Sequence, residues 1–240
     1  LDGVLANQPA DQLTLFLEPS FSIHPDVRHA VKMASHGQLI EVFPTLDHPR
    51  RLADLAPLPP AFLRRHVIYG LFALGDEHAL PPPSRILLWL GDPLERLRLH
   101  ALQFVRNAAA AGVTTTLDAV MREGHKALDN YYTRLLSGLD PAFGQCSTAM
   151  LDTALANLDR SVCFVGFNQQ QAASFDRLCR LMDWDRDLFT VPLPDEHEAA
   201  RHSGELAGFD DKAAEDRVRF DRALFDAAWA RWADRSGAAA

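Results

Sequence analysis

The run RILLWLGDPLERLRLHALQFVRN, residues 85–107, holds the clearest structural signal in the chain. Residues 85–90 form an apolar run of strand length, and Gly91-Asp92-Pro93 ends it. Leu94, Leu97, Ala101, Leu102 and Val105 then recur at helical spacing, so a helix follows at once. Pro93 suits the first turn of that helix, where its missing N–H has no partner to lose, with Asp92 as the N-cap.

Working outward, the same alternation repeats. Residues 13–17 (LTLFL) read as a strand, broken by Pro19, Ser20 and Pro25 before a helix over 26–35 that stops at Gly37. A second strand is expected over 39–43, closed by Pro44, and a proline-rich stretch leads into the segment 62–72. Downstream, one or two helices are expected over 116–136, a helix over 149–158, a strand over 162–166 and a helix over 172–182. A long terminal helix is expected over 210–232, after an exposed connection at 192–208. Strands separated by helices imply a central parallel sheet with helical crossovers, hence a three-layer α/β domain. With 240 residues and no internal repeat, a single domain over 1–240 is expected.

The formal net charge of −8 argues against a general nucleic-acid binder, because phosphate surfaces recruit basic faces. No stretch of eighteen apolar residues exists, so no membrane span is expected, and no basic-then-apolar leader is visible. The three cysteines, Cys146, Cys163 and Cys179, are odd in number and lack C-x-x-C spacing. They read as reduced thiols of a cytoplasmic protein. The ten histidines give no pair at i, i+4 with a third ligand; His24 and His29, or Asp76-Glu77-His78, do not suffice, so no metal is expected.

Four segments in order carry a resemblance. The run 85–107 is similar to the strand–turn–helix of the sulfotransferase superfamily, in its carbohydrate-modifying and bacterial branch, where the turn reads Arg-Asp-Pro-x-Glu-Arg followed by Ser-x-Tyr. ALDNYYTRLLSG (127–138) resembles a family helix reading Asn-x-x-Thr-Arg-x-Leu-x-Gly. FVGFNQQQAASFDRLCRLMDW (164–184) and GFDDKAAEDRVRFDRALFDAAW (208–229) resemble the family's later strand–helix and its terminal helix.

The resemblance implies a P-loop-like α/β fold that transfers a sulfuryl group from 3′-phosphoadenosine 5′-phosphosulfate to a hydroxyl of a small-molecule or carbohydrate acceptor. RRHVIYGLFALGDEHALP (64–81) resembles the segment Gly-His-x-x-Tyr-Gly-Leu-His, which implies His66 as general base, with Arg65 and Tyr69 on the acceptor side. Asn130 and Arg134 share a helix face that the family turns toward the cleft. On the donor side the matching positions are Ser20 and Ser22 in the first turn, and Asp92 and Arg96 in the second. Each has a structural alternative: a hydrogen-bonded core histidine, a surface polar pair, a plain turn, and a helix cap with local ion pairs.

The donor side departs from the pattern. The first turn reads Glu18-Pro19-Ser20-Phe21-Ser22, without Lys or Gly, and Gly91 and Leu99 replace the Arg and Ser of the second. Hydrogen bonds to charged groups are worth about 1.5–3 kcal/mol each, so three lost anchors cost about 4–9 kcal/mol of donor affinity. The sequence therefore leaves two expectations: a sulfotransferase with a rebuilt donor pocket, or a sulfotransferase-like protein without the donor that binds a partner or another ligand. Homo-oligomerisation stays open.

Overall fold

A computed structural model describes residues 12–19, 25–43, 51–185, 206 and 209–233. The expected α/β architecture is present, with a five-stranded, all-parallel sheet in the order β2-β3-β1-β4-β5. The strands are β1 (Leu13–Leu17), β2 (Leu39–Val42), β3 (Val67–Gly70), β4 (Ser84–Leu90) and β5 (Val162–Phe167). Four were expected. The fifth, β3, is only four residues, VIYG, all buried, so it offers no alternation and hides in the segment 62–72.

Helices cover both faces. Alternate residues of β1 part to opposite sides, because side chains on a strand alternate. Phe16 joins Val67, Tyr69, Leu87, Trp89 and Phe164 under α1 (Pro25–Ala34) and α7 (Gln171–Met182). Leu13, Leu15 and Leu17 face α5 (Tyr131–Ser137), α6 (Thr148–Ser161) and the terminal helix. A smaller cluster joins α3 (Pro93–Ala110) to Val120 of α4 (Leu117–Glu123), Leu128, Ala214 and Val218. A single-turn helix, α2 (Pro60–Leu63), precedes β3.

Two glycines are required by close approach. A Cβ on Gly70 would stand 1.8 Å from the Val42 carbonyl oxygen of the neighbouring strand. A Cβ on Gly166 would stand 2.3 Å from the Trp89 ring, which lies across it.

The expected terminal helix is two helices, α8 (Asp211–Arg217) and α9 (Arg219–Ala233), with Val218 between them. The break has a partner. Asn130 donates its backbone N–H to the Arg217 carbonyl (2.8 Å), and its Oδ1 accepts the N–H groups of Phe220 (2.8 Å) and Asp221 (3.4 Å). In return, the Asp221 carboxylate accepts the N–H groups of Tyr132 (3.0 Å) and Thr133 (2.8 Å) at the start of α5. Each helix start is thus capped by a side chain from the other segment, which satisfies amides a helix cannot pair internally.

Candidate functional site

In open parallel sheets ligands bind beyond the carboxyl ends of the strands, where neighbouring connections diverge. Here β1 leads through α1 to β2 on one side, while β4 leads through α3 to β5 on the other, so that crevice lies between β1 and β4. Its two rims are the turns after Leu17 and Leu90.

The first rim holds an acid. Glu18 follows β1, is fully buried, and donates its backbone N–H to the Gly70 carbonyl (3.1 Å). The Tyr69 hydroxyl donates to its Oε2, while Oε1 has no hydrogen-bond partner among the described residues. Burial holds the carboxyl well above the ordinary glutamate range, so the protonated form is favoured. Tyr69 is itself buried against Phe16 (ring centroids 5.2 Å apart) and Phe43 (6.0 Å). Its hydroxyl serves Glu18. Ser20 and Ser22 lie outside the described residues.

The second rim is satisfied internally. The Tyr132 hydroxyl donates to the Gly91 carbonyl (3.1 Å) and accepts the Gly91 N–H (3.2 Å). Asp92 caps α3 by accepting the N–H groups of Leu94 (2.9 Å) and Glu95 (3.0 Å), and it pairs with Arg222 of α9 (2.5 Å). Burial pushes the Asp92 carboxyl up, but the Arg222 hydrogen bond and the helix amides outweigh it and leave it below the usual range. Arg96 does not reach this turn. It is buried, donates to the Ala127 carbonyl (2.6 Å), and stacks 4.2 Å from the Tyr131 centroid and 5.6 Å from that of Tyr132.

The expected acceptor-side residues scatter. His66 precedes β3 and so stands at the amino end of the sheet, roughly 13 Å of strand from its carboxyl end. Its Nδ1–H donates to the Phe62 carbonyl (2.8 Å) and its ring rests on Phe62 at 4.3 Å, a local role. Arg65 is exposed beside it. His66 therefore stands away from the carboxyl-end crevice. Asn130 is the helix cap described above. Arg134 is buried and fully engaged, donating to Asp129 (2.5 Å), Asp140 (3.2 Å) and the carbonyls of Asp129, Pro141 and Ala142.

What the structure does open is a cavity of about 730 Å³ beyond the carboxyl end of β3, between α5 and the turns Leu52–Leu55 and Asp76–Ala79. That size falls within the range of small-molecule pockets. Its apolar wall includes Leu52, Leu71, Phe72, Leu135 and Leu139. Polar groups on its lining are Arg51, Asp76, His125, Lys126, Tyr131 and Arg134, with Asp140. Lys126 is held by Asp140 (2.6 Å). Burial lowers the His125 pKa, favouring neutral imidazole, and its Nδ1 accepts the Ala127 N–H (3.1 Å), which leaves the proton on Nε2.

Sequence signals did not point to this cavity. Its residues come from three separated segments, 51–53, 71–79 and 125–140. Of the expected site residues among the described ones, Arg134 alone lines it. Among the described residues no group of three or more His, Cys, Asp or Glu gathers to hold a metal ion, and no helix is long and apolar enough to cross a membrane. The three cysteines are free thiols.

Neither family models nor curated proteins match this sequence. The sulfotransferase resemblance accordingly rests on the quoted segments alone.

Proposed function

We propose that this chain is a sulfotransferase-like α/β protein that does not take the phosphosulfate donor and works by binding a different ligand. The observation that carries this is Glu18. A nucleotide phosphate at the carboxyl end of β1 needs free N–H donors and positive charge. There, Glu18 presents a buried carboxyl engaged by Tyr69. The Gly91 amide of the second rim is likewise spent on Tyr132. The sulfuryl-transfer alternative needs cations in this crevice, yet Arg96 and Arg134 are committed elsewhere and His66 stands at the other end of the sheet.

A thermal-shift titration with adenosine 3′,5′-bisphosphate tests this. A product bound with a Kd of about 10 μM would, at about 1 mM, stabilise the fold by about 2.7 kcal/mol. That amounts to roughly 5–10 °C for a chain of this size. No shift is expected. A shift above about 2 °C overturns the proposal and returns the donor to the crevice.

A further inference from the structure

The unspent hydrogen-bonding capacity around the cavity is donor-rich. Lys126 and Arg134 are paired with Asp140 and Asp129, and the Asp76 carboxylate accepts the Ala73 N–H (3.0 Å). The Arg51 guanidinium is exposed on the lining and has no ion-pair partner among the described residues. His125 presents its Nε2–H, as its Nδ1 is occupied. On the acid side, one Asp76 oxygen is without a partner among the described residues, and Asp140 is held by Lys126 and Arg134.

A second cation stands behind the wall. Tyr131 lines the cavity, and the guanidinium of Arg96, itself only 2% exposed, lies over its ring at 4.2 Å. Arg96 Nε and Nη1 have no hydrogen-bond partner among the described residues. Asp221 faces Arg96 from α9, but its oxygens are spent on the amides of Tyr132 and Thr133. Arg96 therefore keeps a buried positive charge, offset in part by the Asp221 carboxylate, in a low-dielectric setting where fields carry further than in water.

We propose that this cavity binds an amphipathic anion. The flat or aliphatic body lies against Leu71, Phe72, Leu135 and Leu139, and the acidic group is taken by Arg51. This names the ligand class for the ligand-binding reading above and rests on it only in assigning that role to the cavity. Carboxylate, sulfonate and phosphate-ester head groups share the required chemistry.

Calorimetric titration of the full chain with naphthalene-2-sulfonate, 2-naphthol and 2-naphthylmethylamine separates body from charge. Naphthalene-2-carboxylate and 2-naphthyl phosphate then rank the head groups. The sulfonate should bind about tenfold or more tighter than the neutral and cationic bodies, the worth of one charged hydrogen bond. Arg51→Met should cost about tenfold for the anions and leave 2-naphthol unchanged, whereas Leu139→Glu, on the half-exposed rim, should weaken all the anions. Equal binding of 2-naphthol, tighter binding of the ammonium, no anion binding, or an Arg51→Met variant that binds the anion as the parent does overturns the inference. Adenosine 3′,5′-bisphosphate added to the sulfonate complex keeps the two proposals apart. Nucleotide binding without displacing the sulfonate defeats the donor-loss reading and leaves this one standing.

Discussion

The carboxyl ends of β1 and β3 lie side by side in one sheet, yet a buried acid stands beyond one and a cavity opens beyond the other. Beyond β1 the chain places Glu18 in full burial, roofed by the Tyr69 hydroxyl. Beyond β3 it passes Gly70 and then spreads Leu71, Phe72 and Ala73 along a cavity of about 730 Å³. The difference teaches where polar groups are spent. Beyond β1 and β4 they are engaged by Tyr69, Tyr132 and Arg222, whereas beside α5 an internal ion-pair frame props a wall and leaves Arg51 without an ion-pair partner among the described residues.

That frame is the first place to break the contrast. Arg134→Met strands the buried Asp129 carboxylate, and should cost about 3–5 kcal/mol in urea unfolding. A loss under about 1 kcal/mol would mean the cavity wall does not depend on this pair. Gly70 sits on the border between the two regions. Gly70→Ala drives a Cβ into the Val42 carbonyl, backbone against backbone, and should cost about 1–3 kcal/mol by the same measurement. An unchanged midpoint would show that β2 shifts freely away from β3.

Glu18→Gln sharpens the comparison with the smallest change. Burial raises the Glu18 pKa in the folded chain above its ordinary value of 4.5. The folded state therefore keeps a proton that the unfolded chain gives up. Its contribution is complete below the unfolded pKa and fades as pH rises through the folded pKa, by up to about 1.4 kcal/mol per pH unit. The parent should lose urea stability from pH 5 to pH 8 relative to Glu18→Gln, in which the amide oxygen still accepts the Tyr69 hydroxyl. Parallel pH profiles would mean that Glu18 is ionised in the folded protein and that the first rim is negative rather than closed.

The strand–turn–helix at 85–107 was legible because its signals agree: an apolar strand, Gly-Asp-Pro, and a helical stripe. Asp92 caps α3 as expected, and Trp232 is a buried packing anchor. His66 was legible as a residue and not as a position. Without β3 in view, nothing in RRHVIYG tells that the histidine precedes the strand and so faces the opposite pole from the crevice. Asn130 and Arg134 read as sharing one helix face, whereas Asn130 is the left-handed N-cap of α5 and Arg134 lies inside the helix. Their side chains, though, serve α9 and the 140–142 turn, partners distant in sequence or without a pattern of their own.

Local periodicity and turn chemistry were enough to specify an α/β chain with a parallel sheet, and the residues missing from the two phosphate-type turns were visible in the string. Strand order, the engagement of Glu18 by a tyrosine fifty-one residues away and the opening of a cavity beside α5 came from packing. The reason is physical. Hydrogen-bond periodicity acts over a few neighbours, whereas burial of Glu18 and the spending of Arg134 depend on groups that meet only when the sheet and its helices are assembled.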